Sequence, residues 1–134
     1  MKIISIRQPW LQIILTEGKD IENRTRPTRY RGWVALHSPT NISDVEDFPK
    51  WWSRDDALRL PRRAICAVAT IVDVLTESDS KWFARTKNNY GIKLTKVTRL
   101  IKPIPFACGV QGVKPLPSAI VLQIKKQLPK LRLD

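Results

Sequence analysis

Three short blocks near the start of the chain hold side chains that bind anions and move protons. They are Ser5-Ile6-Arg7-Gln8-Pro9-Trp10, Gly18-Lys19-Asp20-Ile21-Glu22-Asn23-Arg24 and Tyr30-Arg31-Gly32-Trp33-Val34-Ala35-Leu36-His37. A guanidinium presents a planar fork that holds phosphate or carboxylate through two parallel hydrogen bonds, which an ammonium cannot reproduce; Arg24 and Arg31 are placed for such contacts. Glu22 offers a second chemistry, as a general base for water with Lys19 or Arg24 stabilising an oxyanion. The structural alternative is that Lys19, Glu22 and Arg24 form an ion-pair network tying a helix to a sheet. Exposed pairs contribute only ~0–1 kcal/mol, so stability alone is a weak reason for so many charges. A neighbouring carboxylate favours the charged form of an amine, which predicts a protonated Lys19.

These residues need elements to position them. Lys2 to Arg7 reads as a buried strand, and Pro9 stands where a first helical residue would, with Trp10, Ile13 and Ile14 on one helical face. Gly18 is placed to end that helix in a left-handed conformation. Ile21 to Thr25 is extended, which puts Asp20, Glu22 and Arg24 on one face and Ile21, Asn23 and Thr25 on the other. Gly32 to Ser38 is a strand, Trp33, Ala35 and His37 pointing one way and Val34 and Leu36 the other. A helix is predicted around Val45 to Leu58. Ala64 to Leu75, apolar on both faces, is the central strand. Tyr90 to Leu100 is another, its out-of-phase Leu94 and Val97 predicting a bulge, and Lys102-Pro103-Ile104-Pro105 is expected to break the pattern. Ile120, Ile124 and Leu128 mark a last amphipathic helix stopped by Pro129. Strands not regularly interleaved with helices predict an α+β fold, a small barrel or curled sheet with helices on its rim.

The 134 residues fit a single domain, 1–134, with a basic C-terminal helix and tail from about 117. No apolar run approaches the ~20 residues of a membrane span, and the N-terminus lacks a signal peptide's apolar stretch. Cys66 and Cys108 read as buried free thiols of a reducing, cytoplasmic compartment. One histidine and two distant cysteines cannot supply a zinc site, so neither metal nor cofactor is expected. His37 reads as a hydrogen-bonded structural residue without a Ser or Cys partner at any recognisable spacing. Trp10 and Trp33 read as core or cleft wall; of Trp51 and Trp52, one is expected over the barrel mouth and the other exposed. Residues 1–79 carry 12 Lys or Arg against 11 Asp or Glu, whereas residues 80–134 carry 12 against the single Asp134. This asymmetry points to a polyanionic partner. A merely soluble basic face is the alternative, and a membrane surface is a poorer third.

In order and spacing, the three blocks resemble the ASCH domain family, part of the PUA-like superfamily of pseudo-barrels. The resemblance extends through Ala64 to Val74, Asn89-Tyr90-Gly91, Pro103-Ile104-Pro105 and Gly109-Val110-Gln111-Gly112, covering most of residues 2 to 117. It implies a PUA-like β-barrel with helices packed on its rim and a cleft lined by Gly-Lys-x-x-Glu-x-Arg. The ligand-binding set it implies is Arg7, Gln8, Trp10, Lys19, Glu22, Arg24, Arg31 and Tyr90. Ile92 and Lys114 stand where relatives often carry aromatics, so no stacking platform is expected in that corner. One branch of ASCH-like proteins hydrolyses N4-acetylcytidine with a Lys and a Thr three residues later. Lys19 matches the first, but Glu22 occupies the second, so little or no such hydrolysis is expected. Were the protein an enzyme, Lys19 and Glu22 would be the catalytic pair.

The function expected is binding of single-stranded or modified RNA, or a nucleotide-like ligand, in a basic cleft. A modified-nucleoside hydrolase or ribonuclease is the second reading. A protein-interaction module for an acidic partner is the third.

Overall fold

The computed structural model describes residues 1–107 and 109–133; the expected Cys108 thiol lies outside the described residues. The chain forms β1 (Lys2–Ser5), α1 (Trp10–Thr16), β2 (Ile21–Arg24), β3 (Gly32–Ser38), α2 (Arg54–Leu58), β4 (Ala64–Leu75), β5 (Tyr90–Pro105), β6 (Val113–Pro115) and α3 (Ser118–Gln127). The six strands make one mixed sheet in the order β2-β5-β4-β3-β1-β6, with β1 and β3 parallel and the other neighbours antiparallel. It curls into a half-barrel with helices at its periphery, the PUA-like arrangement expected. No helix among the described residues is long and apolar enough to cross a membrane.

Two apolar layers explain the architecture. Ile4, Leu36, Cys66, Ala69 and Ile71 form one core with Leu11 and Ile14 of α1. Ile3, Ala35, Ile65, Val68 and Leu100 form the other with Ile124 of α3. Strand β4 contributes to both, as its unbroken apolar run requires. Gly18, at φ +73°, follows the end of α1 in the left-handed region.

Two elements differ from expectation. The segment 45–58 is not one helix: Pro49 and the bulky Trp51-Trp52 pair separate a 3-10 turn at Val45–Asp47 from the short α2. Ser53 caps α2 by accepting from the Asp56 N–H at 3.1 Å. Strand β5 also runs through Pro103 to Pro105 instead of breaking at Lys102. It pairs with β4 on one side, while β2 covers only its Tyr90–Lys93 end on the other. A proline whose missing N–H would face that open edge removes no ladder bond. The predicted bulge is present as three register shifts between β4 and β5. Near the open edge, Gln127 of α3 accepts from the Lys102 N–H at 3.0 Å and donates to its carbonyl at 2.9 Å. That side-chain amide occupies backbone groups otherwise open to another strand.

Cys66 is free and buried. Burial pushes its thiol up to about 11, with the Arg99 charge partly opposing. At pH 8 the thiolate is scarce as well as inaccessible. Iodoacetamide should leave the Cys66 peptide unmodified in the native protein and alkylate it after denaturation, as read by mass spectrometry.

Candidate functional site

The unclosed seam of the half-barrel is a cleft of about 1080 Å³. The C-terminal end of β1, the end of β2, residues 81–84 and the approach to β6 line it. Arg24 spans the seam. Its Nε donates to Glu22 Oε2 at 2.9 Å on its own strand, and its Nη2 donates to the Ser5 carbonyl of β1. One guanidinium thus joins strands from opposite parts of the sheet order, a task that suits its fork of donors.

Lys19 lies in the cleft wall, only 4% exposed. Its Nζ donates to the Ile21 carbonyl and lies 5.2 Å from the Trp10 ring centre and 5.8 Å from that of Trp82. Burial lowers its pKa below the ordinary 10.5; Glu22 and Asp20 pull it back without cancelling the effect. A neighbouring carboxylate, taken alone, predicts a protonated Lys19 and a raised pKa. The structure reverses that shift because desolvation costs more here than charges outside direct contact return.

Residues 80–89 are held in place by β2 and the residue preceding it. Asn23 donates to the Trp82 carbonyl at 2.9 Å and accepts from the Ala84 N–H and from Asn89 Nδ2, each at 2.9 Å. Asp20 accepts from Ser80 Oγ and Lys93 Nζ, both at 2.7 Å. Burial raises the Asp20 carboxyl, but these hydrogen bonds and the Lys93 charge outweigh it and hold it below its ordinary value. Asp20 is therefore spent on this loop and does not line the cleft beside Glu22 and Arg24. Asn23→Ala leaves the Ala84 N–H and the Trp82 carbonyl without these partners. The expected cost is about 1–3 kcal/mol, read by denaturant titration, together with faster amide exchange at residues 82–84.

The opposite wall is fixed from beneath. Buried His37 donates from Nε2 to the Phe106 carbonyl at 2.6 Å; because a carbonyl only accepts, this assigns a bare Nδ1 that receives the Ser5 hydroxyl proton at 2.8 Å. Ser5 Oγ in turn accepts from the Val110 N–H at 2.9 Å. Burial lowers the His37 pKa, partly offset by the Phe106 carbonyl, consistent with this neutral tautomer. The structural role expected of His37 holds. Its serine partner, 32 residues away in sequence, was invisible to any spacing argument.

Of the predicted ligand residues, Arg7, Trp10, Lys19, Glu22 and Arg24 line the cleft together. Gln8, Arg31 and Tyr90 are outside this lining. Buried Gln8 donates to the Pro61 carbonyl and accepts from the Gln12 N–H, both at 3.0 Å. Arg31 donates to the Thr28 and Tyr30 carbonyls, and Tyr90 pairs opposite Arg24 in the β2–β5 ladder. Sequence reasoning missed Trp82, Lys81 and Arg26; a lysine beside a tryptophan was the available signal for two of them. Trp51, 64% exposed, and Trp52 both donate their indole N–H to Glu17, fastening the 39–61 excursion to the end of α1.

Five cations line the cleft (Arg7, Lys19, Arg24, Arg26 and Lys81), against one carboxylate, Glu22, which is paired with Arg24. Only Lys81 belongs to the basic C-terminal part of the sequence. Arg99, Lys102, Lys126, Lys130 and Arg132 are exposed away from the cleft lining. No group of three His, Cys, Asp or Glu among the described residues could hold a metal ion.

No family model and no curated protein sequence matches the chain. Among solved structures it is similar to the crystal structure of ASCH from Zymomonas mobilis. The TM-score is 0.57 at 13% identity, over 97% of this chain and 94% of that one. At such identity the likeness establishes a shared fold, the class of architecture in which the seam cleft sits.

Proposed function

We propose that this protein is a distant ASCH-type domain that binds single-stranded nucleic acid in the seam cleft, RNA in preference to duplex DNA. The observation that carries the proposal is the lining: five cations, one already-paired carboxylate and the indoles of Trp10 and Trp82. Cations take the phosphates, and aromatic walls suit unstacked bases that a duplex keeps inside. The exposed cations of β5 and the C-terminal segment add sequence-independent attraction along the flanking strand. A cytoplasmic location fits the buried free thiol of Cys66.

The test is fluorescence titration of a labelled single-stranded RNA against salt. With Arg24 partly committed to Glu22, roughly four phosphate contacts in the cleft predict a log–log slope of about −3. Duplex DNA of the same length should bind more weakly at each salt concentration. Absence of RNA binding at low salt would falsify the proposal.

A further inference from the structure

Lys19 differs from the other cations of the cleft. Arg7, Arg26 and Lys81 are exposed and Arg24 is partly so, whereas Lys19 is buried. Its amine donates to the Ile21 carbonyl, and the ring centres of Trp10 and Trp82 lie 5.2 Å and 5.8 Å away, within the ~6 Å reach of a cation–π contact. The two indoles come from separate parts of the chain. Trp10 opens α1, and Trp82 sits in the segment tied to β2 through Asn23. No carboxylate forms an ion pair with Lys19 among the described residues. Burial lowers its pKa from 10.5, while Glu22 and Asp20 act the other way, as do the negative faces of the two rings. The amine therefore remains a cation at neutral pH. A buried cation between two rings is poorly placed to meet a phosphate, but it fixes where the rings stand. Both indoles are only partly buried, so each keeps surface for a base. Lys81 also lies over Trp82, at 5.0 Å, but is exposed and can turn to a phosphate.

We propose that Lys19 is a positioning residue: its ammonium pins the Trp10 and Trp82 indoles as the base-contacting walls of the cleft and takes no phosphate itself. The inference rests on the cleft binding single-stranded nucleic acid. Phosphate contacts then fall to Arg7, Arg24, Arg26 and Lys81. Lys19 acts on affinity through pre-organisation, since rings already held in place lose less freedom when a base arrives.

The test is titration of a labelled single-stranded RNA against salt, using the full chain. Lys19→Met keeps a long side chain without the charge. Affinity should fall by roughly tenfold, the scale of a desolvated cation–π contact, with the log–log salt slope unchanged. Lys81→Ala, which removes a phosphate contact, should make that slope shallower by about 0.7. Lys19→Arg should recover most of the loss, because a guanidinium also stacks on aromatic faces. In a Trp82→Leu background Lys19→Met should cost much less than in wild type, a non-additivity that a direct phosphate contact would not show. Unchanged affinity in Lys19→Met, a shallower slope, or equal losses in the two backgrounds overturns the proposal. A measurement on the wild-type protein needs no variant to fold. The side-chain ammonium resonance of Lys19, shifted by the two rings, should stay in place when RNA binds and show no coupling to phosphorus. Coupling of Lys19 to a phosphate overturns the proposal and leaves the nucleic-acid reading standing. Failure of the wild-type protein to bind the RNA at low salt removes that reading itself.

Discussion

Arg24→Ala should weaken single-stranded RNA binding by roughly 10–100-fold, the range expected when hydrogen bonds to a charged group worth about 1.5–3 kcal/mol are lost. Three consequences of one deletion act together. A cleft cation disappears, the bridge from β2 to the Ser5 carbonyl is cut, and Glu22 is left as an unpaired carboxylate facing incoming phosphate. Arg24→Lys restores the charge but not the two-direction fork, so it should recover only part of the loss. Arg31→Ala is the contrasting variant. That side chain donates to carbonyls of its own loop and lies 3.8 Å from Asp73, outside the cleft lining, so affinity should stay close to wild type. Equilibrium titrations paired with thermal melts separate lost contacts from lost folding. A folded Arg24→Ala protein with unchanged affinity would count against the seam as the binding site.

Gly91→Ala should be the most damaging single-methyl change. A Cβ there would meet Phe83 Cδ2 at 2.7 Å, Phe83 Cε2 at 2.8 Å and Ile21 Cγ2 at 2.9 Å. Both neighbours are buried, Ile21 as the first residue of β2, the strand that carries Glu22 and Arg24, and Phe83 next to Trp82 in the chain. Overpacking of this kind costs about 1–3 kcal/mol, corresponding to a melting-temperature fall of roughly 4–10 °C for a domain of this size. Displacing Phe83 also disturbs the wall holding Trp82, so RNA affinity should fall with stability. Phe83→Leu in the Gly91→Ala background should recover part of both by returning space. A Gly91→Ala protein that melts like wild type would show that the packing around Phe83 yields more freely than its burial indicates.

The sheet and the site differ in how much of each was legible in the sequence. The central position of β4 followed from an apolar run that can be buried only on two faces, and the bulge in β5 from residues out of phase with a two-residue repeat. The alternation along β3 correctly assigned Val34 and Leu36 to one core and Ala35 to the other. The predicted helix over 45–58 failed because a hydrophobic count does not register how two adjacent indoles are turned outward to reach Glu17. Pro103 and Pro105 were misread because a proline breaks a strand only where its N–H is needed, and which edge is open depends on neighbours far along the chain.

Local patterns therefore determined the elements and the two-sided core, since side-chain periodicity and turn chemistry act over a few positions, whereas the five cleft residues named from sequence came from the family resemblance of the first blocks. Tertiary structure decided that Arg26 and Lys81 join those charges at the seam and that Arg31 does not. The basic excess of residues 80–134 contributes Lys81 to the cleft, while four of its five cations come from the nearly neutral first half. Curling of the sheet brings Arg24 to Ser5, and folding brings His37 to Ser5 and Asn23 to Trp82. It also decided the state of Lys19. A neighbouring carboxylate is visible in sequence, but desolvation depends on what closes over the amine, and Trp82 lies 63 residues beyond it.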